Sequence, residues 1–158
     1  TWALKGNTPL LLSSGSWKNL TMVGILVTTP GGRRTKLFIR TIAGGLNAKE
    51  AILFLKDLKR HMRGRKLLMI WDGLPAHRAK IVTEYVKTQK TWLRIERFPR
   101  YAPELNPIEY CWSSMKAKHF GNRRAEGMES LGHAVRKAKR NMNDNDVLKK
   151  FLKASELY

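Results

Sequence analysis

The spacing of apolar positions changes period several times along the chain, and each change predicts an element. Leu20 to Thr28 (LTMVGILVT) is apolar and β-branched, which predicts a strand. Pro30-Gly-Gly32 predicts a turn, and Thr35 to Thr41 (TKLFIRT) the returning strand of a hairpin. Asn47 is placed to cap a helix reaching about Arg60, with Ala51, Leu55 and Leu58 at helical spacing. Leu67 to Trp71 is a continuous apolar run, expected as a central strand buried on both faces. Gly73-Leu-Pro75 turns the chain, and Pro75 is expected to open a helix through about Thr88. Trp92 to Phe98 (WLRIERF) predicts another strand, followed by a proline-rich loop over 99–107 and a helix carrying Glu109 to about Phe120. The tail reads as two amphipathic helices separated by Asn143-Asp-Asn-Asp146. A hairpin followed by alternating strands and helices predicts a mixed sheet flanked by helices, an α/β layer architecture.

Charge changes the picture. The 158 residues carry 31 Lys and Arg against 12 Asp and Glu, a net charge of +19. That excess favours a polyanion, with binding that weakens steeply as salt rises. The basic residues are spread along the chain, which disfavours a membrane-surface helix. One cysteine, Cys111, excludes a disulfide framework and a thiolate zinc site; it reads as a core filler beside Trp112.

Acids are scarce, so their positions carry weight. Residues 1–49 contain none. Glu50, Asp57, Glu84, Glu126, Glu129 and Glu156 fall in helical segments rich in Lys and Arg, where solvated pairing is the default. Glu96 alternates with Arg94 and Arg97 on a strand, and Asp144 and Asp146 read as caps. Asp72 differs, because it ends a buried strand. Glu109 differs too, one turn into a helix held by Pro103 and Pro107. Plain structural roles compete for both: Asp72 could cap the next turn, and Glu109 could answer the helix dipole. Glu104 is a rival within the loop. Paired carboxylates on a strand end and a nearby helix are what a divalent-metal phosphodiester site requires.

The strings Trp71-Asp-Gly-Leu-Pro-Ala-His-Arg-Ala-Lys80 and Phe98-Pro-Arg-Tyr-Ala-Pro-Glu-Leu-Asn-Pro-Ile-Glu-Tyr-Cys-Trp-Ser-Ser-Met-Lys116 resemble the catalytic core of the IS630 group of bacterial insertion-sequence transposases, in the wider Tc1/mariner superfamily of DDE transposases. Thr1-Trp-Ala-Leu-Lys-Gly-Asn-Thr-Pro9 resembles the segment after that family's first strand. The likeness covers 1–120 and, more weakly, the tail.

The resemblance implies an RNase H-like fold in which three acids bind two Mg²⁺ or Mn²⁺ ions. Asp72 matches the second acid and Glu109 the third, 37 positions on. It implies DNA as partner, both element ends and target, with a homodimer on paired ends, in a bacterial cytoplasmic, nucleoid-associated setting. His77, Arg78, Lys80, Arg97, Arg100, Tyr101, Lys116 and Lys118 are the candidate DNA-binding residues.

Two departures stand out. The family's first acid precedes the Trp-x-x-Lys-Gly segment, and no acid precedes Glu50 here. The expectation is a partial catalytic domain over 1–122, lacking its first strand and the upstream helix-turn-helix, with a helical extension over 123–158. Such a chain should not assemble a complete metal site. The second departure is Gly73, where many relatives carry Asn. The alternative from another class is a basic DNA-binding remnant without catalysis. A different RNase H-like nuclease, such as a resolvase, fits the proline-rich Glu109 motif less well.

Overall fold

The computed structural model describes residues 20–99, 102–120 and 128–156. Strand β1 (Leu20–Thr28) pairs antiparallel with β2 (Thr35–Ala43), from Leu20 opposite Ala43 to Thr28 opposite Thr35. Helix α1 (Ala48–Met62) follows, and the Asn47 side chain accepts the Glu50 N–H at 3.0 Å as its N-cap. Strand β3 (Leu67–Trp71) and β4 (Leu93–Arg97) pair in parallel, joined by α2 (Pro75–Arg78) and α3 (Lys80–Lys87). A 3₁₀ turn (Pro103–Leu105) leads to α4 (Pro107–Met115), which loosens into a π turn over Lys116–Phe120. Helices α5 (Met128–Met142) and α6 (Asn145–Ala154) complete the described chain. Among the described residues, no helix is long and apolar enough to cross a membrane.

The hairpin is the middle layer of a three-layer stack, because its side chains alternate between two helical layers. Val23, Ile25, Val27 and Phe38 face the core built by α1, α3, β3 and β4, around Phe54, Leu55, Leu58, Met69 and Val82. Leu20, Met22, Leu26, Leu37 and Ile39 face a second core with Ile108, Cys111, Met115, Val135, Ala138, Met142 and Leu148. Cys111 is fully buried there, and burial pushes its thiol up to about 12, so it serves packing. The outer edge of β2 is closed by the α5–α6 link. Thr35 and Leu37 donate their N–H groups to the side chains of Asn145 (2.7 Å) and Asn143 (3.0 Å). Those asparagines thus hold the tail helices against the sheet as well as separating them.

Three expectations change. The single mixed sheet is, among the described residues, two two-stranded ladders. Between β1 and β3 runs a cleft of about 240 Å³, flanked by Ala51 and Phe54 on one side and Ile108 and Leu152 on the other. Strand β3 is therefore not buried on both faces. Met69 and Trp71 are buried, while Leu68 is 60% and Ile70 37% exposed on the face that α1 and α3 leave uncovered. The expected helix over 75–88 breaks at Ala79, whose ψ of 138° is extended; the chain bends there, so that Val82 of α3 packs in the first core.

Helix α4 packs closely on the hairpin at Gly24. A Cβ at this position would lie 2.8 Å from a ring carbon of Trp112 and 3.0 Å from another. Glycine lets the indole of α4 lie against the β1 backbone. Gly24→Ala should lower stability by about 1–3 kcal/mol through overpacking, read as a drop in thermal midpoint. Wild-type stability would show that α4 shifts without penalty.

Arg40 of β2 spans to α1, pairing with Asp57 and, at 3.5 Å, with Glu50; Asp57 also pairs with Arg60. The sequence suggested only solvated pairing here, yet the Asp57 and Glu50 side chains are 21% and 25% exposed. Burial alone would raise the Asp57 carboxyl, but hydrogen bonds and charge from Arg60 and Arg40 outweigh it and hold the group below its ordinary value. A depressed folded-state value stabilises above the unfolded value, roughly pH 3.9, and that stabilisation is lost as pH falls through the folded value. Asp57→Asn should therefore reduce stability at neutral pH and flatten the acid limb of a pH–stability curve. An unchanged acid limb would remove Asp57 as its source.

Candidate metal and nucleic-acid site

Asp72 is placed by the end of β3. Trp71, 7% exposed, anchors the strand in the first core, and the backbone then leaves the ladder. The Asp72 Oδ1 accepts the Leu74 N–H at 3.2 Å and lies 2.8 Å from Nδ1 of His77. A carboxylate only accepts, so Nδ1 carries the proton. His77 is held in turn by stacking on Trp71, with ring centroids 4.4 Å apart and planes 2° from parallel. Burial tends to raise the Asp72 carboxyl, but the His77 hydrogen bond, the Leu74 N–H and the charge of His77 bring it below its ordinary value. It is an ionised acceptor across neutral pH.

Glu109 is placed by a helix start. Pro107 occupies the first turn, and the Asn106 side chain caps it by accepting the Ile108 N–H at 3.4 Å. The Tyr110 hydroxyl lies 3.3 Å from the Glu104 carbonyl and 3.1 Å from that of Ala154, tying the loop and α4 to α6. Ile108 and Cys111 bury one side of α4, so Glu109 stands on the exposed side.

The two acids come together. A cavity of about 620 Å³ is lined by Asp72, Gly73, Arg78, Arg97, Phe98, Pro99, Ala102, Pro103, Asn106 and Glu109. Arg78 and Arg97 are exposed and line the same cavity. Lys80, Lys116 and Lys118 are exposed on adjoining segments but do not line it. His77 does not line it either: its side chain is 12% exposed, and it faces the cleft between β1 and β3. Arg100 and Tyr101 lie outside the described residues. Glu104 is not part of the lining. A Cβ at Gly73 would meet nothing within 4 Å, so the start of a side chain is tolerated there.

The donors match the chemistry of a divalent cation. Two carboxylates offer hard oxygen ligands, while the nearby thiol is buried and the His77 Nδ1 is committed to Asp72. Among the described residues no group of three or more His, Cys, Asp or Glu is close enough to hold a metal, so the carboxylate set is two.

Residues 1–132 match the family described as DDE superfamily endonuclease. The chain belongs to that family. No curated protein sequence matches this DDE endonuclease domain. Among solved structures, it is similar to the catalytic domain of Mos1 mariner transposase, with a TM-score of 0.61 at 15% identity over 87% of this chain and 76% of that one. The same catalytic domain solved with Raltegravir and Mg gives a TM-score of 0.60 at 15% identity, covering 87% and 79%. The Mos1 mariner paired end complex with Mn gives 0.68 at 16% identity over 99% of this chain but 47% of that chain, so the domain spans about half of the transposase in that complex. The fold is accordingly RNase H-like, as the sequence motifs implied.

Sequence reasoning singled out Asp72 and Glu109, which line one cavity, but missed the Trp71–His77 stack and the Asn106 lining position. The i to i+5 spacing of Asp72 and His77 across a proline-started turn was the available signal for the first. Asn106→Ala should lower stability by about 1 kcal/mol by removing a helix cap, and in a thermal melt this loss should persist at high salt. A loss that vanishes with salt would point to charge rather than capping.

Proposed function

We propose that the chain is catalytic-domain sequence of a DDE transposase of the IS630 group, within the Tc1/mariner superfamily, whose reaction is metal-dependent DNA strand cleavage and strand transfer at the ends of an insertion sequence. The observation that carries this is the shared cavity of Asp72 and Glu109, flanked by Arg78 and Arg97. With it goes a bacterial, nucleoid-associated setting and a pair of copies acting on paired ends; the net charge of +19 supports the DNA partner.

Asp72 and Glu109 would hold Mg²⁺ or Mn²⁺. Such an ion polarises the phosphodiester and lowers the pKa of the attacking water or 3′-hydroxyl. One or two carboxylates together with substrate phosphate oxygens suit one Mg²⁺, whereas a two-ion site calls for a further carboxylate. Arg78 and Arg97 would anchor phosphates on either side of the scissile bond, with Arg100 and Tyr101 as further candidates in the loop and Lys80, Lys116 and Lys118 tracking the outer backbone. On this reading the 158 residues bind DNA but do not cleave it.

The test is nicking of supercoiled plasmid in Mg²⁺ or Mn²⁺, with DNA affinity measured across a salt series. The 158-residue chain should bind DNA with steep salt dependence and leave the plasmid intact. Wherever nicking is seen, in this chain or in a longer one, Asp72→Ala or Glu109→Ala should each abolish it. Nicking that survives both substitutions would overturn the acid assignment. Binding without nicking in every version would favour a basic DNA-binding remnant.

A further inference from the structure

The Asp72 carboxylate is not free to rotate. Its Oδ1 takes two hydrogen bonds, from the Leu74 N–H at 3.2 Å and from Nδ1–H of His77 at 2.8 Å. Two donors on one oxygen leave Oδ2 as the oxygen available to a cation, and they fix the plane of the group. The donor itself is fixed. His77 sits face to face with Trp71 at 4.4 Å, and Trp71 is locked in the first core at 7% exposure. The relay therefore runs from the packed β3 strand, through an aromatic stack, to a single carboxylate oxygen. A surface histidine that contacts DNA would need its ring exposed; this side chain is 12% exposed and lies outside the lining of the Asp72–Glu109 cavity.

We propose that His77 is a positioning residue, which holds Asp72 by Oδ1 so that Oδ2 is presented for divalent-cation binding jointly with Glu109. The inference rests on the acid assignment above and adds the element that orients one of its ligands. Groups that orient a metal-binding side chain are typically worth about 10–100-fold in metal affinity. The stack and the hydrogen bond can be separated by substitution. His77→Phe keeps an aromatic ring against Trp71 but removes the donor. His77→Asn removes the ring but places an N–H₂ donor near the position of Nδ1.

The experiment measures Mn²⁺ affinity of the 158-residue chain by electron paramagnetic resonance of free Mn²⁺. Thermal midpoint and DNA affinity in EDTA are followed in parallel. Positioning predicts that His77→Phe weakens Mn²⁺ binding about 10-fold or more while its thermal midpoint and EDTA-phase DNA affinity stay near wild type. It predicts that His77→Asn retains most of the Mn²⁺ affinity even where stability falls. Wild-type Mn²⁺ affinity in His77→Phe overturns the proposal and leaves His77 as packing. A fall in DNA affinity in EDTA for His77→Phe, with Mn²⁺ affinity held, overturns it in favour of a phosphate contact. Asp72→Asn and Glu109→Gln separate the two levels. If both abolish Mn²⁺ binding and His77→Phe does not, only the positioning role fails. If neither changes Mn²⁺ binding, the acid assignment fails and the positioning role with it.

Discussion

The arrangement of the site depends on how two helical layers are held to opposite faces of one hairpin. One close point of that attachment is the indole of Trp112 lying against Gly24, where a single methyl group would come within 2.8 Å of the ring. Trp112 is three residues after Glu109 on α4, so the contact that seats α4 on the sheet also sets where Glu109 begins. Asp72 belongs to the other layer, at the end of a strand anchored in the core of α1 and α3. The two acids face one cavity because close-packed interiors transmit position across a sheet with little slack.

Charge is distributed in keeping with that arrangement. Several acids in this basic chain are spent on structure: Asp57 and Glu50 answer Arg40, Glu96 lies 2.9 Å from Arg94, and Asp144 caps α6 by accepting the N–H groups of Asp146 and Val147. Asp72 and Glu109 differ in lining one cavity. Among the described residues Asp72 is met by an imidazole and a backbone N–H, and Glu109 by no ion pair. Carboxylates left without a Lys or Arg partner in a chain of charge +19 carry negative potential toward a cavity whose other charged groups are Arg78 and Arg97. A divalent cation bridging carboxylate and phosphate is the electrostatic complement of such a cavity.

Much of the chain was legible from local pattern. The hairpin, the capped α1, the parallel strands, the Glu109 helix and the two tail helices all follow from periodicity, caps and turn residues, which act over a few positions. The acid pair was legible because each stands at a forced place, one closing an apolar strand and one following Asn106-Pro107. The motifs around them also pointed to the DDE superfamily, to which the match over residues 1–132 assigns the chain. Less legible was burial. The run Leu67 to Trp71 reads as doubly buried, yet Leu68 and Ile70 lie on an uncovered face, since burial depends on which layers arrive and not on the run itself.

The sequence by itself determined the order and type of the elements, the basic character and the two candidate acids, because these depend on side-chain chemistry and short-range backbone preferences. Tertiary structure alone decided which cations share the acids' cavity: Arg78 and Arg97 do, and Lys80, Lys116 and Lys118 do not, although all five lie close to the motifs in sequence. It also decided that His77 turns inward onto Trp71 and Asp72 instead of outward to solvent. The physical reason is that both outcomes are set by contacts between segments far apart in the chain, or by which face of a turn meets the core, and neither leaves a periodic signature for the sequence to show.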